Sequence, residues 1–144
     1  MAKHELPLRV TVIEPLAGVE MQMQKGRHEL LPPTTKKSNS ISFDFSVDVD
    51  LSSDEPNFLG QFAQGPKRER FVYVNSGSYA GQSDTGWDRR AKISLMDITI
   101  EQINKVLESR NSRLEICIDG IGRDGGPVCA SVRSPRENWK IIKG

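Results

Sequence analysis

The strongest constraint on the fold is the stretch from Ser40 to Asp50, in which apolar and polar side chains alternate at every position. Isoleucine, phenylalanine or valine occupies each odd position, and serine or aspartate occupies each even one. Successive side chains of a β-strand point to opposite faces, whereas a helix repeats its faces about every 3.6 residues. The alternation therefore predicts a strand with one face on a core and the other in water.

Shorter apolar alternations predict further strands and bring the total to about seven. They lie at residues 8–12, 19–23, 71–74, 91–95, 114–118 and 128–132. We expect the first two to form a hairpin around a turn at residues 15–18. Residues 26–39 are rich in Pro, Thr, Lys and Ser, which predicts a mobile loop. Residues 52–70 carry Phe58, Leu59 and Phe62 among prolines and glycines, so we expect them to cover an opening of the core.

One segment has helical spacing instead. Ile100, Ile103 and Leu107 recur at intervals of three and four, and Thr99 with Gln102 has the form of a capping box. We expect a helix over residues 99–110, with Asn111 as a left-handed cap. The whole pattern predicts a mainly β fold with one helix in a single domain, residues 1–144. Its architecture is an antiparallel β-sandwich or partly closed β-barrel, with the helix covering an opening.

Composition excludes several functions. The 20 Lys and Arg balance 19 Asp and Glu to a net charge of +1, which removes the long-range field of a general nucleic-acid binder. The basic clusters at 67–70, 89–92 and 133–136 have acidic neighbours, so they favour a solvated surface over a nucleic-acid site. No apolar run approaches the roughly 18 residues of a membrane span. The start of the chain lacks the apolar region of a secretory signal, which predicts a cytoplasmic protein.

The cysteines and the short motifs predict no cofactor, no metal site and no catalytic residue. Cys117 and Cys129 are too few for a disulfide scaffold, and we expect both to be reduced thiols on one outer sheet face. Residues 120–125 match Gly-x-Gly-x-x-Gly, but an apparent strand follows them, so a hairpin turn is the better interpretation. His4 and His28 lack a second histidine at metal-ligand spacing. No serine stands in a Gly-x-Ser-x-Gly elbow.

The segment from 75 to 90 is richer in aromatic and charged residues than a connector requires. Together with the turn at 120–127, it predicts a rim that binds a small anionic ligand or a protein partner, since Arg pairs with carboxylate or phosphate while Trp and Tyr supply contact area. The candidate residues are Tyr79, Asp84, Trp87, Asp88, Arg89, Arg90, Arg123 and Asp124.

Three alternatives to this binding rim stay open. Trp87 could fill the core while the arginines pair with Asp84 and Asp88 for structure alone. An enzyme would use one of the candidate aspartates as general base and Arg89 or Arg90 to stabilise negative charge. A structural subunit of a larger assembly is the third alternative. The oligomeric state is not determined by the sequence.

Several segments resemble a bacterial family of short uncharacterised proteins, catalogued as a domain of unknown function. They are PNFLG at 56–60, RFVYVNSG at 70–77, AGQ at 80–82, RRAK at 89–92 and GRDGGP at 122–127. Family members often have proline after the glycine of the first segment and cysteine before the tryptophan, where this chain has Gln61 and Gly86. The resemblance implies a bacterial cytoplasmic protein and transfers no catalytic residue.

Overall fold

The computed structural model describes residues 3–15, 20–26, 29–59, 62–64, 69–77, 89–119 and 139–143. Within these ranges the chain is mainly strand, with one helix. The elements are β1 (Lys3–Ile13), β2 (Glu20–Gly26), β3 (Glu29–Leu31), β4 (Thr35–Lys37), β5 (Ser40–Asp50), β6 (Asn57–Leu59), β7 (Phe62–Gln64), β8 (Glu69–Gly77), β9 (Arg89–Ser94), α1 (Ile100–Glu108), β10 (Ser112–Asp119) and β11 (Lys140–Lys143).

The strands form two sheets. The first has the order β11-β10-β1-β5-β4, with β6 also paired to β5, and the second has the order β3-β2-β8-β7, with β9 also paired to β8. Strands β1 and β10 are parallel, and the other described pairs are antiparallel. The first sheet curls into a half-barrel, so the predicted fold class, a β-sandwich or partly closed barrel with one helix, is confirmed.

The alternation in β5 is confirmed residue by residue. Every odd position from Ile41 to Val49 is buried, and every even position is only half-buried. β1 runs antiparallel to β5 along its whole length and buries Leu6, Leu8 and Val10 on the same side. One hydrophobic cluster contains these side chains together with those of β2, β8, β9, β10 and α1. The core therefore lies between the two sheets.

The helix prediction is confirmed at its start and corrected at its end. Thr99 accepts a hydrogen bond from the Gln102 backbone, and the Gln102 side chain accepts one from the Thr99 backbone, which is the capping box expected. The helix ends at Glu108 with Ser109 as an extended C-cap, so the left-handed cap at Asn111 is wrong. Val106, rather than Leu107, joins Ile103 in the core. Val106 is three residues after Ile103, so both side chains lie on the same face of the helix.

The predicted hairpin of residues 8–12 with 19–23 is wrong. β1 belongs to the first sheet and β2 to the second. Both edges of β1 are already occupied, one by β5 and the other by β10. Alternation determines which face of a strand is buried, but it carries no information on the partner strand. The apolar alternation therefore could not show that the chain passes from the first sheet to the second between β1 and β2.

The two polar segments contain more structure than a loop prediction implies. Residues 26–39 include β3, which pairs with β2, and β4, which pairs with β5. The expectation of one irregular loop is therefore wrong, and mobility stays a prediction. In the second segment, Phe58 is 2% exposed and belongs to the core cluster. This confirms that residue 58 returns to the core. The strand expected at 128–132 lies outside the described residues.

Candidate functional site

Most of the predicted site residues lie outside the described part of the chain. These are Tyr79, Asp84, Trp87, Asp88, Arg123 and Asp124, and the same holds for Cys129 and the glycine-rich turn. Arg89 and Arg90 are placed at the beginning of β9, in register with Ser76 and Asn75 of β8. The two strands flanking the candidate segment are therefore paired neighbours in the second sheet.

The second sheet carries an unusual polar group at this position, which we call the amide cluster: Gln22, Gln24 and Asn75. In β2 the core side chains are Met21 and Met23, so the two glutamines belong to the opposite, outer face. Asn75 is opposite Gln22 in the register, and its Nδ2 donates a hydrogen bond to Gln24 Oε1 at 3.1 Å. The outer face of the second sheet therefore holds side chains that bond to each other.

Burial makes the amide cluster exceptional. Asn75 is 0% exposed and Gln24 is 1% exposed, although both face away from the core between the sheets. Gln22 Oε1 is also buried, and it accepts no hydrogen bond within the described structure. Most buried polar atoms in folded proteins have a partner, and an orphaned acceptor costs about 1 to 3 kcal/mol. Such a position is suited to a hydrogen-bond donor from outside the sheet.

Aromatic rings and a cation adjoin the amide cluster on the same face. Tyr73 is in register with Gln24 on one side and with Lys92 on the other. The Phe71 and Tyr73 rings meet edge to face with centroids 5.2 Å apart, and Lys92 Nζ lies 4.4 Å from the Phe71 ring centroid. An ammonium group over a ring is held by the ring quadrupole. The face thus combines amides, rings and a fixed positive charge.

A second polar network lies on the outer face of the first sheet. Arg9 Nε donates to Asp44 Oδ1 at 2.6 Å and Arg9 Nη2 donates to Oδ2 at 3.1 Å, so the pair is bidentate. Arg113 approaches the same carboxylate at 3.9 Å and also donates to the Leu8 carbonyl. The hydrogen bond from Arg9, with a smaller contribution from the charge of Arg113, holds the Asp44 pKa below its ordinary value. These contacts bind three strands together.

Thr11, which follows Arg9 on the same face of β1, extends the polar network to Ser42 and Glu115. Its hydroxyl donates to Glu115 Oε2 at 2.9 Å and lies 3.0 Å from the Ser42 hydroxyl. Every member of the network has a partner on a neighbouring strand, and the charges of the two arginines are balanced by Asp44 and Glu115. This arrangement stabilises the sheet and leaves no charge in excess for a ligand.

We expect Asp44→Asn to lower the free energy of unfolding by about 1 to 2 kcal/mol at neutral pH, because the bidentate pair is only partly exposed. Because the pKa of Asp44 is depressed in the folded state, its contribution is present above the unfolded pKa of about 3.9 and disappears as pH falls through the folded value. Urea titrations between about pH 7 and pH 2 should show the difference between wild type and variant shrinking with acid.

The control for this experiment is Asp48→Asn on the same strand. Asp48 meets Lys3 at 3.5 Å with both side chains largely exposed, so its loss should cost under about 0.5 kcal/mol. Equal costs for the two variants, or a cost for Asp44→Asn that does not change with pH, would contradict the assignment.

The described residues contain no group of three or more His, Cys, Asp or Glu that could hold a metal ion. Among them there is also no helix with the length and apolar character needed to cross a membrane.

Fold and surface together define a mainly β protein with one helix and a buried amide cluster on the outer face of its second sheet. Residues 6–142 match the model of DUF5990, a family of unknown function, and the chain belongs to that family. This confirms the family resemblance indicated by the motifs. No curated protein and no solved structure matches the chain. The family description names no activity, so function has to be argued from the residues themselves.

Sequence reasoning missed the amide cluster, although its signal is present. Gln22 and Gln24 alternate with methionines, and Asn75 closes the apolar run at 71–74. Amides on an outer strand face are normally solvated, and nothing local distinguishes a buried one. The distinguishing information is the pairing of β2 with β8, which brings the three side chains together.

Proposed function

We propose that this protein is a non-enzymatic binding module, which uses the outer face of the second sheet and residues 75–90 and 120–127 to bind a small anionic ligand or a protein partner. The observation that carries the proposal is the buried amide cluster with its orphaned acceptor, Gln22 Oε1. The cluster lies in β2 and β8, and β8 leads directly into the candidate segment.

The charge of the surrounding strand favours an anion. Lys92 is in register with Tyr73, which is itself in register with Gln24 of the cluster, and β9 begins with two arginines in register with Ser76 and Asn75. Carboxylates and phosphates pair strongly with guanidinium groups, and the hydroxyl groups of such ligands would donate to an amide oxygen. A polyhydroxy acid or a sugar phosphate supplies both chemistries in one molecule.

The same proposal includes a cytoplasmic location and a bacterial source. The two cysteines of the chain are too few for a disulfide scaffold, which supports a reducing, cytoplasmic compartment. The motifs that carry the family resemblance support a bacterial source.

A thermal-shift screen tests the function. We expect one or more of gluconate, citrate, glucose 6-phosphate and inorganic phosphate to raise the stability of the protein, by about 2.7 kcal/mol at 100 times the dissociation constant. The double variant Arg90→Gln/Lys92→Gln should lose at least tenfold in affinity for that ligand, because two charge-assisted contacts are removed.

The matched control removes two positive charges elsewhere. Lys105 on α1 and Lys140 on β11 are both exposed, so Lys105→Gln/Lys140→Gln should leave the affinity within about twofold of wild type. An equal loss in both double variants would reduce the effect to net charge and contradict the site. Ligand turnover detected by product analysis would replace the binding module with the enzyme alternative.

A further inference from the structure

A groove opens between two connections, residues 51–56 before β6 and residues 95–99 before α1. It consists of two adjoining cavities of about 390 Å³ and 250 Å³. Glu55, Pro56, Phe58 and Met96 contribute to both. The larger cavity has the size of a site for a small organic molecule.

Residues 51–56 form one wall of the groove, and local hydrogen bonds fix their conformation. Asp50 Oδ1 accepts from the Ser52 backbone N–H at 2.9 Å and from the Ser52 hydroxyl, and these bonds lower the Asp50 pKa. The Ser53 hydroxyl donates to the Glu55 carbonyl at 3.0 Å. A turn that carries its own hydrogen bonds loses little further entropy when a ligand arrives.

Residues 95–99 form the opposite wall of the groove, and hydrogen bonds connect them to β8. The Leu95 N–H donates to the Arg70 carbonyl at 2.9 Å, and the Arg70 N–H lies 3.4 Å from Met96 Sδ. The Ile98 N–H closes the turn by donating to the Leu95 carbonyl. Both walls are therefore pre-organised by contacts that involve no ligand.

The lining of the larger cavity joins apolar surface to negative charge. Phe58, Met96, Ile98 and Ile100 form its apolar part, and Met96 is 46% exposed. Pro56 and the two carboxylates, Asp54 and Glu55, complete the lining given by the described residues. Within the described structure neither carboxylate forms a salt bridge, and no Lys or Arg lines this cavity.

We propose that the larger cavity binds a small organic cation, an ammonium or guanidinium group carried on an aliphatic body. The aliphatic part contacts Met96 and Ile100, and the cation is held by Asp54 and Glu55. Arg70 lines only the smaller cavity, so charge directs the cationic end into the larger one. Methionine suits this role because its flexible thioether adapts to apolar bodies of different shape. The site is separate from the anion site proposed above and does not depend on it.

Titration of ¹⁵N-labelled protein with simple probes tests the proposal. Hexylammonium should bind saturably and shift the amide resonances of residues 53–58 and 96–100. Butylammonium should bind more weakly, by roughly two- to fourfold for each methylene that leaves the apolar lining. Hexanol and hexanoate should bind at least fivefold more weakly than hexylammonium, because they lack the charge that two carboxylates attract.

Two variant pairs separate the lining from general effects. Asp54→Asn/Glu55→Gln should weaken hexylammonium binding roughly five- to tenfold, whereas Glu5→Gln/Glu108→Gln, which removes two exposed charges elsewhere, should change it by less than twofold. Ile100→Ser should weaken binding at least threefold, and Leu107→Ser, an exposed position two turns further along the same helix and outside the cavity lining, should not.

Three outcomes would overturn the proposal. They are equal binding of hexanol and hexylammonium, resonance shifts confined to other parts of the protein, and equal losses in the lining and control variants. None of these results bears on the anion-binding function, since the lining variants leave the second sheet unchanged.

Discussion

Replacing Trp139 by alanine is expected to lower the free energy of unfolding by about 3 to 5 kcal/mol. Trp139 is 2% exposed and is among the largest fully buried side chains in the described residues. Its Nε1 donates to the Ser94 carbonyl at 3.1 Å, and its own carbonyl accepts from Gln102 Nε2 at 2.8 Å. Since Ser94 ends β9 and Gln102 is in α1, one residue connects the second sheet, the helix and the strand β11.

Urea unfolding of three variants separates the parts of this effect. Trp139→Phe keeps most of the ring area but leaves the Ser94 carbonyl without its donor, so about 1 to 2 kcal/mol should be lost. Ile141→Ala, two residues away and 40% exposed, should cost under about 1 kcal/mol. If Trp139→Ala costs no more than Ile141→Ala, Trp139 does not hold these elements together.

Trp139 also shows why the core could be predicted only in part. Charged and polar residues flank it, with Glu137 and Asn138 before it and Lys140 after it. Ile141 and Ile142 follow closely, but three apolar residues in a stretch of four are too few to establish a period of two or of 3.6. The sequence pattern indicated only Trp87 as a core-filling tryptophan. Long periodic segments such as β5 and α1 were predictable because several side chains repeat the same signal.

Strand pairing was the larger part of the fold that the sequence did not predict. The short strands β3, β4, β6, β7 and β11 have three or four residues each, too few for alternation to be read. The parallel pairing of β1 with β10 joins residues more than a hundred positions apart. The polar pair Arg9 and Asp44 depends on the register of β1 with β5, which places residues 35 positions apart opposite each other. Such contacts follow from tertiary arrangement, which a local pattern does not contain.

The candidate site, too, was predictable from the sequence only in part. The composition of residues 75–90 exceeds the needs of a connector and indicates a binding segment, which stays a prediction. The amide cluster supplies an independent reason to examine the same region, since β8 carries Asn75 directly into it. Composition could indicate the segment, but only the fold could show that polar groups beside it are buried.

Replacing Phe58 by alanine is expected to cost about 3 kcal/mol of unfolding free energy and to abolish hexylammonium binding. Phe58 is 2% exposed, joins the core cluster and is paired with Val49. The cost should lie at the lower end of the range for aromatic truncation, because Phe58 also lines the groove and the space left by the ring can fill with water. Asn57→Ala, an exposed change on the same strand, should cost under about 0.5 kcal/mol by urea titration. A Phe58→Ala protein as stable as Asn57→Ala would show that residues 52–59 do not cover the core, whereas a destabilised protein that still binds hexylammonium would remove Phe58 from the groove.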